Sequence, residues 1–307
     1  MAEAHKQDRK AMMQGVLYAL LAALLWSGNF IVARGMHQKI GPVSLAFFRW
    51  LTATVFLFPV AQKAFFKEWR LVRPHWKYIS ITALLGITFF NTFVYVAGRY
   101  SSAINLALIG TTAAPLFVLL ISVLFLKEKV AMRQFIGALL CVIGILLLIS
   151  KGSWQQLAAF RIGTGDVWIL TAALSFALYT LLVRRKPRTI SSLTFLFSIF
   201  FTGTLFLIPA YIWEQVSGST FNWTVDLVLI FLYLGIGASV LAFLLWNTSI
   251  HKIGATHTAL FGNLIPVFSM VEAVWLLHEQ LDWVILVSFF IVIAGLVIAN
   301  ARLFKKR

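Results

Sequence analysis

The chain has 307 residues, of which 61% are hydrophobic and 12% charged, against roughly 45–50% and 25% in soluble domains, which excludes an ordinary soluble enzyme or binding module. Its formal charge of +16 would point to nucleic acid in a soluble protein. Here the charge lies between long apolar runs, so the partner it implies is the lipid bilayer, and no nucleic acid is expected.

A window of about 19 residues resolves ten apolar segments, each near the roughly 20 residues a helix needs to cross about 30 Å of hydrocarbon. After a tail at 1–12, spans are expected at 13–33, 43–62, 77–98, 104–126 and 133–150. A linker at 151–164 follows, then spans at 165–183, 191–212, 226–249, 256–277 and 283–302, and a basic end at 304–307. The runs are continuous, not alternating, which excludes a transmembrane β-barrel and predicts an all-α polytopic membrane protein. Lys6, Arg9 and Lys10 ahead of GVLYALLAALLW also fit a signal peptide, but the apolar stretch runs on to full spanning length.

Placing both termini in the cytoplasm puts twenty of the 26 Lys and Arg residues on that side. The opposite side then receives Arg34, Lys39, Arg99, Lys151 and Arg161, and Arg49 falls inside a span. This asymmetry sets the expected orientation in the inner (plasma) membrane.

GVLYALLAALLWSGNFIVAR from Gly15 aligns without gaps to GDVWILTAALSFALYTLLVR from Gly165. The spacing persists from Gly86 to Gly235, Pro115 to Pro266, Glu128 to Glu279 and Gly144 to Gly295. The halves 13–150 and 165–303 therefore read as a repeat. Five spans per half is an odd number, so the second half enters from the other side and the repeat is inverted. PLFVLLISVLFLKE at 115–128 and PVFSMVEAVWLLHE at 266–279 carry the same proline and glutamate. Each proline is expected to bend its helix one to two turns into the span and to act in gating. Matched kinks in inverted halves are a feature of transporters with a midplane site.

Arg49 and Glu272 are the charges well inside spans, where such groups face a bundle interior or a wet cavity. Three readings stand: a fixed ion pair, a substrate or proton role, or independent snorkelling. A free Glu272 is available as a proton carrier, whereas a paired one leaves facilitated or exchange transport. Asn29, Asn91, Asn105, Tyr179, Asn247, His257 and Asn263 are further polar candidates, suited to hold the ammonium and carboxylate of an amino acid or to bond helix to helix. Most aromatics belong to the lipid face, but Trp26, Phe89, Tyr95, Tyr179 and Trp246 are candidates for shaping an apolar pocket. Gly137, Gly144 and Gly295 read as packing surfaces, within the chain or between protomers, and the oligomeric state stays open. No HExxH, GxSxG or CxxC occurs and the six histidines do not cluster, so no enzyme, metal or cofactor is expected.

WSGNF at 26–30, AFFR in the second span, the GRYSSA…P…LKEK block at 98–129 and its copy HKIGAT…P…LHEQ at 251–280 resemble the EamA-type branch of the drug/metabolite transporter superfamily. The second copy departs at His278 and Gln280. The resemblance covers about residues 13–303 and implies ten helices in two inverted five-helix repeats, with export of small metabolites, notably amino acids. The expected function is a secondary transporter exporting a small metabolite, most simply an amino acid with an aromatic or bulky apolar side chain, by alternating access. The alternatives are a multidrug transporter, a carrier of nucleosides or sugar derivatives, and a channel; a channel would show a continuous polar stripe with rings of charge.

Overall fold

The structure, a computed structural model, describes residues 2–127, 131–153, 155, 162–219 and 221–299, with side chains from Met12 onward except at 255, 256, 259 and 260. Glu128, most of the linker and the basic end 304–307 lie outside the described residues.

Twelve α-helices and no strand occur among the described residues. They are α1 (Ala2–Gly35), α2 (Pro42–Val72), α3 (Trp76–Ala83), α4 (Phe90–Ala97), α5 (Ala103–Leu124), α6 (Met132–Ile149), α7 (Thr164–Arg184), α8 (Ser192–Val216), α9 (Val225–Leu232), α10 (Ala242–Phe261), α11 (Ile265–Leu277) and α12 (Trp283–Ala299). Residues 2–12, expected as a tail, continue α1 as helix. Exposed Val60, Leu124, Phe135, Val216, Trp275 and Phe290 form an outer surface that only lipid tolerates.

Among the described residues, seven helical stretches are long and apolar enough to cross a membrane, where ten are expected from the sequence. The difference has two sources. Pro42–Ala97 is a continuous 56-residue stretch, about 84 Å at 1.5 Å per residue, and it doubles back so that α2 packs on α4. Gly262–Leu277 and Trp283–Ala299 are apolar but shorter than the other seven.

The packing pairs follow the sequence repeat. α2 lies against α8 and α6 against α12, while α1 packs on α11 as α5 packs on α7. At the α2–α8 crossing the Thr54 and Thr204 hydroxyls meet at 3.1 Å, and these residues are 150 apart. At the α6–α12 crossing the Cys141 thiol donates to the Val292 carbonyl, 151 residues away, at 3.7 Å. A Cβ on Gly137 would come within 2.5 Å of the Gly295 carbonyl, so these glycines serve packing inside one chain. Two π-helical segments, Leu84–Phe89 and Tyr233–Leu241, occupy equivalent places in the two halves.

Helix ends need partners for their free N–H groups, and acids supply many of them across the structure. Glu214 on α8 accepts from Val43 N (3.1 Å), Ser44 N (2.7 Å) and the Ser44 hydroxyl (2.6 Å) at the start of α2. Glu68 on α2 returns the contact, accepting from Ser191 N at 2.9 Å at the start of α8. Glu279 accepts from Ala103 N at 2.6 Å and Ile104 N at 3.1 Å, closing the start of α5.

The prolines behave differently from expectation. Pro115 lies past the middle of α5, which continues through it, so the proline sits deeper than one to two turns into the helix. Pro266 is in the first turn of α11, where no intrahelical N–H bond is missed, and the break before it is the 3₁₀ turn Gly262–Leu264. A second matched pair, Pro59 in α2 and Pro209 in α8, lies inside both helices.

Because Glu214 is buried, Glu214→Ala leaves three donors unsatisfied and should cost about 1–3 kcal/mol. The thermal midpoint of the detergent-purified variant should fall clearly below that of Glu214→Gln, which keeps one acceptor oxygen. Equal midpoints would remove this cap from the account of α2.

Candidate functional site

The π segment Tyr233–Leu241 carries the sequence YLGIGASVL. A π turn leaves its carbonyls out of the usual register and is often found at functional sites. Here the Ala238 carbonyl accepts from the Trp26 indole at 3.0 Å, and the Ser239 hydroxyl donates to Leu234 at 2.8 Å, five residues back. Tyr233 reaches α1 and donates to the Leu25 carbonyl at 2.8 Å. Gly28 permits that approach, since a Cβ there would stand 2.1 Å from the tyrosine oxygen.

Arg49 of α2 points into this junction and is 5% exposed. Its Nε donates to the Ser239 hydroxyl at 3.0 Å and its Nη1 to the Tyr95 oxygen at 3.0 Å and to Asn29 Oδ1. The Tyr95 hydroxyl also donates to Asn29 Oδ1, at 2.9 Å. The guanidinium carbon stands 5.0 Å from the Trp50 ring centroid, within cation–π range. Arg49 thus ties α1, α2 and α4 to the π segment of the second half through neutral groups alone.

Glu272 is on the other side of α1. Ser27 Oγ stands 2.7 Å from its Oε1 and 2.6 Å from the Leu24 carbonyl. Oε2 is buried without a hydrogen-bond partner. The Ser269 hydroxyl donates to the Ser27 carbonyl at 3.0 Å, fixing α11 against α1. Ser27 and Asn29 are two residues apart, so they project about 200° from each other around the helix. Of the three readings of the charges, the fixed Arg49–Glu272 pair is not formed: α1 stands between them.

The remaining candidates divide into distinct places. Trp26 packs on Trp246 with ring centroids 5.0 Å apart and meets Phe243 edge-on. Asn91 is 1% exposed and its Oδ1 lacks a partner, as does that of Asn105 on α5. Tyr179 packs against Phe176 and presses on Gly86, at the first π segment. Asn263 lies in the 3₁₀ turn and is half-buried. Asn247 and His257 are exposed on α10, and His257 Nδ1 stands 3.0 Å from the Ile253 carbonyl. Phe89 is 39% exposed and stacks on Phe93. The structure therefore gathers Trp26, Asn29, Arg49 and Tyr95 around the second π segment, and leaves Phe89, Asn247 and His257 outside that group. Tyr233 and Ser239 belong to it although the sequence analysis does not select them, while Ser27 belongs with Glu272 on the other face of α1; the signal was the glycine pair GIG, which marks the backbone on which Ser239 sits.

Comparison with known proteins follows the same division of the chain. The profile of the EamA-like transporter family matches residues 13–150 and 163–301. An "uncharacterized transporter" of Archaeoglobus fulgidus is 29% identical over 290 residues, covering 93% of this chain and 97% of its own length. A "probable amino-acid metabolite efflux pump" of Salmonella typhimurium is 27% identical over 293 residues, 91% of this chain and 92% of its own. One crystal structure superposes with a TM-score of 0.63 at 16% identity, covering 94% of this chain and 96% of that one, a likeness of fold alone.

Two substitutions separate the two charges. Tyr95→Phe removes a donor to Asn29 and an acceptor for buried Arg49, and should cost about 1–3 kcal/mol. Glu272→Gln should change stability by less than about 1 kcal/mol, whereas breaking a buried ion pair costs roughly 3–5 kcal/mol. Chemical denaturation of both variants checks the contrast, and a large loss for Glu272→Gln would restore the ion pair.

Proposed function

The chain belongs to the EamA-like transporter family, and from that premise we propose that it is a secondary transporter of the inner membrane. It exports a small carboxylate-bearing metabolite, an amino acid in the simplest case, by alternating access between two inverted five-helix repeats, 13–150 and 165–303, with both termini in the cytoplasm. The observation that carries the substrate class is Arg49. A guanidinium buried inside a bundle is costly, and here its recorded hydrogen-bond partners are Asn29, Tyr95 and Ser239, without a carboxylate. Such a centre is positive and preorganised, and an incoming carboxylate neutralises it.

The packing pairs related by about 150 residues support the inverted repeat, since the same contacts recur with the halves exchanged. Ten spans follow if Pro42–Ala97 contributes two and the shorter helices Gly262–Leu277 and Trp283–Ala299 each contribute one. Trp26 and Trp246 support a preference for aromatic or bulky apolar side chains. Glu272, unpaired with Arg49, fits the branch in which a carboxyl carries a proton. Glu279 on the start of α5 acts as an outer latch that opens when the cavity faces outward, with Pro115 and the break before Pro266 as the bending points.

The test is flux in reconstituted liposomes across amino acids, nucleosides and cationic drugs. Saturable amino-acid flux that falls at least tenfold in Arg49→Gln supports the reading; flux of cationic drugs that survives in that variant overturns it. An imposed pH gradient without a substrate gradient should drive accumulation in the native protein and not in Glu272→Gln, and flux indifferent to the gradient would remove Glu272 from coupling. Topology is checked separately. In a Cys141→Ala background, cysteines at Gln134 and Gln280 should react with an impermeant thiol reagent from opposite faces, and labelling of both from one face would refute the inverted repeat.

A further inference from the structure

Away from the Arg49 junction, an open cavity of about 450 Å³ lies between α5, α6, α7 and α12. Its wall includes two hydroxyls, Thr112 and Ser122, that are at least nine-tenths buried and have no hydrogen-bond partner. Its mouth carries Arg184, exposed at the last position of α7, with Gln134 of α6 also on the wall. Arg185, Lys186 and Arg188 follow Arg184, so the mouth opens on a strongly basic face. A second, adjoining groove of about 650 Å³ runs between α5 and α6 and is lined almost wholly by aliphatic and aromatic side chains. The two share Leu116, Leu119 and Ala138, so one molecule can occupy both.

We propose that this composite site binds an anionic phospholipid, with its phosphate on Arg184 and one acyl chain in the α5–α6 groove. Charge complementarity selects the headgroup: a guanidinium on a basic membrane face matches a phosphate with paired hydrogen bonds. The buried Ser122 hydroxyl, two residues from the end of α5, is at the right depth to donate to an ester oxygen and so acquires the partner it lacks. Thr112 lies ten residues deeper, roughly 15 Å along the helix, below any headgroup, and takes no part. A small soluble zwitterion has no use for the apolar groove, which separates this site from the cargo path at Arg49. The lipid fills the space between α5, α6, α7 and α12, beside the α6–α12 crossing.

Native mass spectrometry of the full-length, delipidated protein titrated with phosphatidylglycerol or phosphatidylcholine tests this. The native protein should retain phosphatidylglycerol in preference. Arg184→Gln should weaken that retention about tenfold, the loss of one charge-assisted contact, while Arg185→Gln, at a residue that does not line the cavity, leaves it unchanged. Ala138→Leu narrows the junction of the two compartments and should weaken retention without altering charge. Equal retention of both lipids, equal effects of the two arginine substitutions, or no effect of Ala138→Leu would each overturn the proposal. Displacement of the bound lipid by excess free amino acid would assign the cavity to cargo and also overturn it. Arg184 is exposed, and an unchanged thermal midpoint in Arg184→Gln confirms that folding is intact.

Discussion

In hydrocarbon, an N–H group without a partner costs several kcal/mol, and the way this chain meets that constraint organises the whole structure. Ten acidic residues serve 307 positions, and a large share of them sit at helix starts. Glu214, Glu68 and Glu279 each reach from one half of the chain to a helix start in the other. Asp166 and Asp282 serve their own helices, accepting from Gly163 N and Ile285 N. A negative group at a helix N-terminus also complements the macrodipole. Each half is therefore incomplete until the other supplies its caps, and the two segments must fold as one bundle.

The same exchange explains the site. A π segment gives up regular helical bonding, which strands carbonyls and hydroxyls inside the membrane unless another element meets them. Trp26 satisfies Ala238 from α1, and Ser175 of α7 donates to Leu85 of the other π segment at 2.8 Å. In both cases the first helix of one half completes the irregular segment of the other. Only the second segment meets an arginine, because Arg49 is followed by Trp50 on α2 while the corresponding stretch of α8 is SIFF, without charge. The halves share a backbone plan and differ in chemistry.

Much of the architecture was legible because lipid makes the code simple: length, apolarity and the repeat offset located the helices and the equivalent landmarks. The left-handed residues make the point. Lys127 and His278, one residue before the matched glutamates, have φ of 55° and 54°, so the two equivalent positions take the same left-handed conformation although their side chains differ. What could not be read was orientation around each helix. Asn29 and Ser27 differ by two positions, and that alone decides that one serves Arg49 and the other Glu272. Phe89 and Asn247 were chosen by depth, which says nothing of the face they occupy. The caps were missed for a related reason, since Glu214 meets Ser44 across 170 residues and no local pattern announces the pairing.

The unequal prolines carry the last step. α5 passes through Pro115 as one helix, whereas the equivalent region before Pro266 is split by Gly254, at φ +84°, and by the 3₁₀ turn Gly262–Leu264. A continuous helix bends as a unit, but a divided one lets its two parts turn independently at little cost. The continuous helix is the one whose start is held by Glu279 and which lines the open cavity between α5, α6, α7 and α12; the divided one bears Glu272 and packs along α1. A pair of equivalent elements with unequal stiffness gives the bundle one firm wall and one compliant wall. The buried arginine sits on the α2 side of α1, and its partners Asn29, Tyr95 and Ser239 all lie outside α11, so the hydrogen bonds that hold Arg49 do not run through the helix that follows the break.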